Sequence, residues 1–141
     1  MSEDIKIAVG DAFPLDKLGA TAPAVVYVYP KDSTSGCELE SRGFNTLYDE
    51  FKGLGVEILG VSAGNNDTAA QFSSECDLKF KLVPSPEVTE QLGLLKDFGQ
   101  YGVLPRRITF LVGKDGTVKN IWNVEDIPAH PGEVLAAAKS L

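Results

Sequence analysis

At 141 residues the chain is long enough for one compact domain, residues 1–141, that buries roughly 70% of its unfolded surface. Its 20 acidic against 13 basic side chains leave a net charge of -7, which argues against nucleic acid or an anionic membrane as a partner. Hydrophobic residues at 43%, charged residues at 23% and no apolar run near the ~20 residues of a membrane span describe an ordinary soluble globule.

The N-terminal stretch MSEDIKIAVGDAFP has neither the basic nor the apolar region of a secretory signal, and its acidic residues argue against a transit peptide. A cytoplasmic location is the expectation, alongside a processed organellar form. The first periodic stretch is Ala24 to Tyr29, an unbroken apolar and β-branched run read as a central strand covered on both faces and ended by Pro30. A Ser/Thr/Gly loop follows, and Phe44, Leu47, Tyr48 and Phe51 then recur at helical spacing, predicting a helix of about four turns from near Cys37. Ser33, Thr34 and Ser35 are its candidate caps, and Gly53 and Gly55 close it.

Val56 to Val61 reads as a second buried strand, and the GNND loop leads into a helix from about Thr68 to Cys76. A short strand around Phe80 to Val83 and a short helix near Glu87 to Leu92 follow. Arg107 to Val112 and Thr117 to Val124 are strand-like runs joined by the hairpin signal Lys114-Asp115-Gly116, and a last helix follows Pro131. The fold class is therefore α/β, a mixed central sheet with helices on both faces, and a thioredoxin-like fold fits that order.

Two cysteines, Cys37 and Cys76, are too few for a disulfide framework, and with one histidine they are too few for a zinc site. Their chemistry, where they have any, is thiol chemistry. Cys37 falls where a strand, a loop and a helix start meet, so its sulfur is expected exposed in the first turn beside unpaired N–H groups, a setting that favours thiolate. Asp32, Glu38 and Glu40 oppose that ionisation, so a cation is needed, and Arg107 is the candidate.

The segment Pro30-Lys31-Asp32-Ser33-Thr34-Ser35-Gly36-Cys37 has the form P-x-x-x-T-x-x-C between a strand and a helix. With Tyr29-Pro30, Gly43-Phe44, GVSAGNNDTAAQF, PRRITFLVGKDGTV and the tail IWNVEDIPAHPGEVLAA, the chain resembles the peroxiredoxins over most of residues 24–138. The likeness is to the Q type, or bacterioferritin comigratory protein. It implies a thiol-dependent peroxidase that reduces hydrogen peroxide and small organic hydroperoxides through a Cys37 sulfenic acid, without metal or organic cofactor. It further implies that Thr34 hydrogen-bonds substrate and sulfur through its hydroxyl, that Pro30 shields the sulfur, and that Arg107, better aligned than Arg106, stabilises sulfur and peroxide. Thioredoxin, glutaredoxin or glutathione is the implied reductant, and the Q type leans toward a monomer.

This chain departs from that pattern in four places. Arg42 stands where many Q-type members carry the resolving cysteine. Other members place it in the helix after the second strand, where Cys76 stands about one turn beyond the usual site. Cys76 is thus either a resolving cysteine that reaches Cys37 after local unfolding or an inert core thiol behind Phe72. The segment before Ala24 is shorter than usual, leaving the structure near the N-terminus unassigned, and Ser85 replaces an aspartate in the Pro84-Ser85-Pro86 turn, a change expected at a helix cap.

His130 is read as a capping or surface residue, Trp122 and Phe110 as packing residues, and Arg106 as a solvated neighbour of Arg107. Two other readings compete with a peroxidase. A thiol-disulfide exchanger is disfavoured by the lack of a C-x-x-C pair, and a non-catalytic module by the complete Pro30, Thr34, Cys37 and Arg107 set.

Overall fold

The computed structural model describes residues 5–141; the acidic start of the stretch read as leaderless, residues 1–4, lies outside them. In chain order the first half comprises β1 (Ala24–Val28), α1 (Ser35–Thr46), α2 (Tyr48–Gly53), β2 (Glu57–Ser62), α3 (Asn66–Cys76) and β3 (Lys81–Pro84). The second half adds α4 (Pro86–Gln91), β4 (Leu95–Asp97), β5 (Val103–Pro105), β6 (Ile108–Val112), β7 (Val118–Asn123) and α5 (His130–Ala138).

Five strands form one mixed sheet in the order β3-β2-β1-β6-β7. β1 runs parallel to β2 and antiparallel to β6, so it is the central strand that its unbroken apolar run requires. Its successive residues feed two cores. Ala24, Val26 and Val28 share one face with Leu59, Val61, Ile108 and Phe110, under Phe13, Leu15 and Leu18 of the N-terminal segment and Val88 of α4. Val25, Tyr27 and Tyr29 face the other way with Ile58 and Leu111, against Phe44, Phe51, Phe72 and Val134 of the four remaining helices. Each of the five β1 side chains is at most 1% exposed, and burying a valine of this kind contributes about 1.5–3 kcal/mol.

The register also positions the site. Val28 pairs with Ile108 across an antiparallel ladder, so residue 107, just before β6, falls beside the exit of β1. The loop after β1 and the arginine reach the same corner from opposite chain directions.

Several expectations need correction. The four-turn helix is two helices, broken at Leu47, where Thr46 Oγ1 donates to the Arg42 carbonyl at 2.9 Å and the turn tightens to a Leu47-to-Phe44 bond of 3.1 Å. A threonine that bonds back to the preceding turn bends a helix in this way. The hairpin β4–β5 was not visible in the sequence, because strands of three residues carry no readable period. The N-terminal segment contributes a 3-10 turn at Leu15–Leu18 closed by Gly19 in the left-handed region, and it is held to the sheet by paired bonds between Asp11 and Val118 and between Gly10 and Val118. Ser85 caps α4, accepting from Val88 N at 3.2 Å, which accounts for the tolerated loss of an aspartate there.

Candidate active site

The loop from Pro30 to Thr34 carries the chain from β1 into α1. Thr34 is the N-cap residue by position, with extended backbone, and the first helical bond is Glu38 N to Thr34 O at 2.8 Å. The N–H groups of Ser35, Gly36 and Cys37 precede that bond, so the first turn that carries Cys37 begins with donors the helix itself does not use. No side chain caps them. The Thr34 hydroxyl instead donates to the Lys31 carbonyl at 2.9 Å, closing the loop on itself and leaving its oxygen lone pairs as acceptors.

Arg107 reaches the same turn. Its Nη2 donates to Cys37 Sγ at 3.4 Å and its Nη1 to Glu40 Oε1 at 2.9 Å. Gly36 makes the approach possible, since a Cβ there would lie 3.1 Å from Arg107 Nη2. Glu40, fully buried on the inward face of α1, was read from the sequence only as an opponent of the thiolate; the fold turns it into the fixing partner of the arginine. Burial raises its carboxyl to about 7 against the opposing pull of Arg107, and its second oxygen, Oε2, has no partner among the described residues.

The expected exposure of Cys37 is not observed. The residue is 0% exposed and belongs to the apolar cluster of Tyr27, Tyr29, Phe44 and Phe72. Helical phase accounts for the difference: Cys37, Glu40, Ser41 and Phe44 line one face of α1, and that face lies on the sheet. Gly43 lets α5 pack beside it, because a Cβ at 43 would come within 2.7 Å of Pro131 Cγ. Gly60 similarly clears the Tyr27 hydroxyl, which bonds Ser41 Oγ at 2.7 Å within the core.

Of the other carboxylates near the loop, Glu38 pairs with Arg42 at 3.0 Å, and Asp32 accepts from two hydroxyls, Tyr29 at 2.6 Å and Thr68 at 2.7 Å. Pro30 is half-buried beside them. Cys76 ends α3 at 3% exposure in the same apolar cluster as Cys37, and burial pushes its thiol up. Arg42 lies against that helix end, its Nη2 donating to the Glu75 carbonyl at 3.3 Å.

Two side readings change. His130 is neither a cap nor a surface residue: it is 2% exposed, bonds Thr109 Oγ1 at 2.8 Å, and lies edge-on between Phe44 and Trp122. Arg106 is half-buried with its Nε lacking a partner among the described residues, not freely solvated. Phe110 is core, stacked at a tilt on Phe13.

The profile of the AhpC/TSA family matches residues 4–121. The chain belongs to this peroxiredoxin family. It is 36% identical over 121 residues to peroxiredoxin Bcp of Xanthomonas campestris pv. campestris, covering 82% of this chain and 76% of that protein. It is 34% identical over 122 residues to the chloroplastic peroxiredoxin Q of Oryza sativa subsp. japonica, covering 84% of this chain and 55% of the rice protein; the chain thus spans about half the length of that relative. Among solved structures it superposes on the Xanthomonas campestris bacterioferritin comigratory protein, whose alkyl peroxide reduction was followed in intermediate and ligand complexes, with a TM-score of 0.80 and 28% identity. That match covers 97% of this chain and 98% of the other. The mixed sheet with its helices is the thioredoxin-like architecture of these peroxiredoxins. Among the described residues, no helix is long and apolar enough to cross a membrane.

Proposed function

We propose that this peroxiredoxin is a thiol-dependent peroxidase acting on hydrogen peroxide and small organic hydroperoxides, with Cys37 as the attacking sulfur. The observation that carries the reading is the Arg107 guanidinium on the Cys37 sulfur at the mouth of α1, inside a P-x-x-x-T-x-x-C segment. The sulfur attacks the terminal peroxide oxygen and the O–O bond breaks. With one proton taken up by the departing oxygen, the products are a Cys37 sulfenic acid and water or an alcohol. Negative charge spreads from sulfur over two oxygens in that transition state, so donors from Arg107, the Cys37 N–H and the Thr34 hydroxyl stabilise it more than the ground state. Thr34 serves this role by turning its proton from Lys31 to the substrate, and Pro30 screens the sulfur from water.

A reductant thiol condenses with the sulfenic acid, releasing water and leaving a mixed disulfide, and a second thiol returns Cys37 to its reduced form. We assign the reductant to thioredoxin, glutaredoxin or glutathione, and the working unit to a monomer of one domain, in the cytoplasm or as a processed organellar form. A second reading gives the first condensation to Cys76. The shared apolar cluster favours it, because Cys37 on α1 and Cys76 at the end of α3 are buried in the same core.

Peptide mass spectrometry after one equivalent of peroxide separates the two. One added oxygen on Cys37 supports external reduction, whereas loss of two hydrogens joining Cys37 to Cys76 supports the internal route. Cys37→Ser abolishes the reaction, and Thr34→Val or Arg107→Ala slows it about 100-fold or more by stopped-flow kinetics. Oxidation of the intact protein at the pace of a free thiol would remove the proposal.

A further inference from the structure

From the sequence, Asp32 is only a negative charge near the reacting sulfur. In the structure its carboxylate is a bridge: Oδ1 accepts from the Tyr29 hydroxyl at 2.6 Å and Oδ2 from Thr68 Oγ1 at 2.7 Å. Tyr29 is buried at the exit of β1, and Thr68 is locked in the capping box that starts α3, where its N–H donates to Asn65 Oδ1 at 2.9 Å. The turn between β2 and α3 is shaped to this carboxylate, since a Cβ at Gly64 would lie 3.0 Å from Asp32 Oδ2.

The loop so held is under tension and poorly packed. Ser33, the next residue, has φ of 60°, a left-handed backbone that L side chains seldom adopt, and its hydroxyl donates to Glu75 of α3 at 2.8 Å. Beside these bonds lies a cleft of about 440 Å³ lined by Pro30, Asp32, Asn65, Gln71, Tyr101 and Leu104. Hydrogen bonds over an open cleft, rather than apolar burial, therefore fix the loop to α3.

Cys37 needs two incompatible things from that loop. A peroxide is small and is reduced in a closed pocket, but a sulfur with no exposed surface is beyond the reach of a reductant thiol, which must approach along the S–O axis. We infer that Asp32 is a positioning residue, a clamp between Tyr29 and Thr68 that holds the active-site loop in its peroxide-reactive form and whose release admits the reductant. The inference rests on the peroxidase reading above. It adds a residue to that reading and ties one side chain to both halves of the cycle with opposite signs.

The test measures the halves separately in a Cys76→Ser background, where no internal thiol competes. Stopped-flow oxidation by hydrogen peroxide reads the closed form, and capture of the preformed Cys37 sulfenic acid by glutathione reads the open form. Asp32→Ala should lower the first rate at least tenfold and raise the second at least threefold. Asp32→Asn, which keeps one acceptor oxygen, should restore most of both. Thr68→Val, which removes only the α3 side of the bridge, should move both rates in the same directions as Asp32→Ala and serves if that variant folds poorly. Rates that fall together, or that stay unchanged in an otherwise reactive protein, would overturn the role of Asp32 and leave the peroxidase reading standing. A parent protein no faster than a free thiol would instead overturn the peroxidase reading.

Discussion

The pairing of Glu40 with Arg107 places a titrating carboxyl next to the Cys37 sulfur. With the Glu40 carboxyl raised to about 7 by burial, the neutral acid at lower pH leaves the guanidinium charge directed at Cys37, and ionisation at higher pH divides that charge between the two partners. The ratio of peroxide rate constants, native protein over Glu40→Gln, should therefore decline as pH rises through 7. Stopped-flow rates from pH 5.5 to 8.5 check this, and a ratio flat across the range would separate Glu40 from the chemistry. The same residue shows why the sequence was ambiguous at this scale. Glu38 and Glu40 are two positions apart on one helix, yet one pairs with Arg42 at the surface and the other is sealed beneath α1.

Among the elements, α1 carries the tightest constraints. It delivers Cys37, Glu40, Ser41 and Phe44 to the sheet and must let α5 approach at Gly43, where Pro131 Cγ leaves no room for a methyl group. Gly43→Ala should destabilise the fold by about 1–3 kcal/mol, the cost of overpacking, against the small gain that alanine gives an unconstrained helix. Urea unfolding measures it, and an unchanged or raised midpoint would show that α5 gives way. The break at Leu47 has a related consequence: α1 ends as a separate twelve-residue unit, so a shift of its first turn need not carry α2 along.

For the molecule as a whole, the two cores lie on opposite faces of one sheet and share β1, β2 and β6, so loss of either removes one wall of the other. One cooperative unfolding transition should follow, coincident by fluorescence and circular dichroism. Its pH dependence contains two opposing groups. Burial lowers His130 to about 4, so the folded protein keeps it neutral; its stabilising contribution is complete above about 6.5 and is lost as pH falls toward 4. Glu40 acts in reverse: its raised value means the folded state binds the proton more tightly, so its contribution to stability is present at low pH and is lost as pH rises toward 7. His130→Asn should accordingly lessen the fall in stability between pH 6.5 and 4, measured as urea midpoints. An identical slope in native and variant proteins would mean that the His130–Thr109 bond is not what the acid breaks.

The sequence by itself determined what depends on local order along the chain. The unbroken run at Ala24 to Tyr29 and the Lys114-Asp115-Gly116 turn prescribe their elements, and the spacing from Phe44 to Phe51 prescribes helix but not its break at Leu47, because strand, helix and hairpin each leave a period or a turn residue to read. The P-x-x-x-T-x-x-C segment singles out Cys37 as the candidate sulfur by its resemblance to the peroxiredoxin motif, not by a period. What only the tertiary structure decided was the set of contacts made across long separations: the burial of that sulfur, the union of Arg107 with Glu40, the Asp32 bridge to Thr68 and the enclosure of His130. Their partners are far apart in the chain and meet only because β6 pairs antiparallel to β1 and α1, α3 and α5 share one face of the sheet, and neither relation leaves a local period to be read.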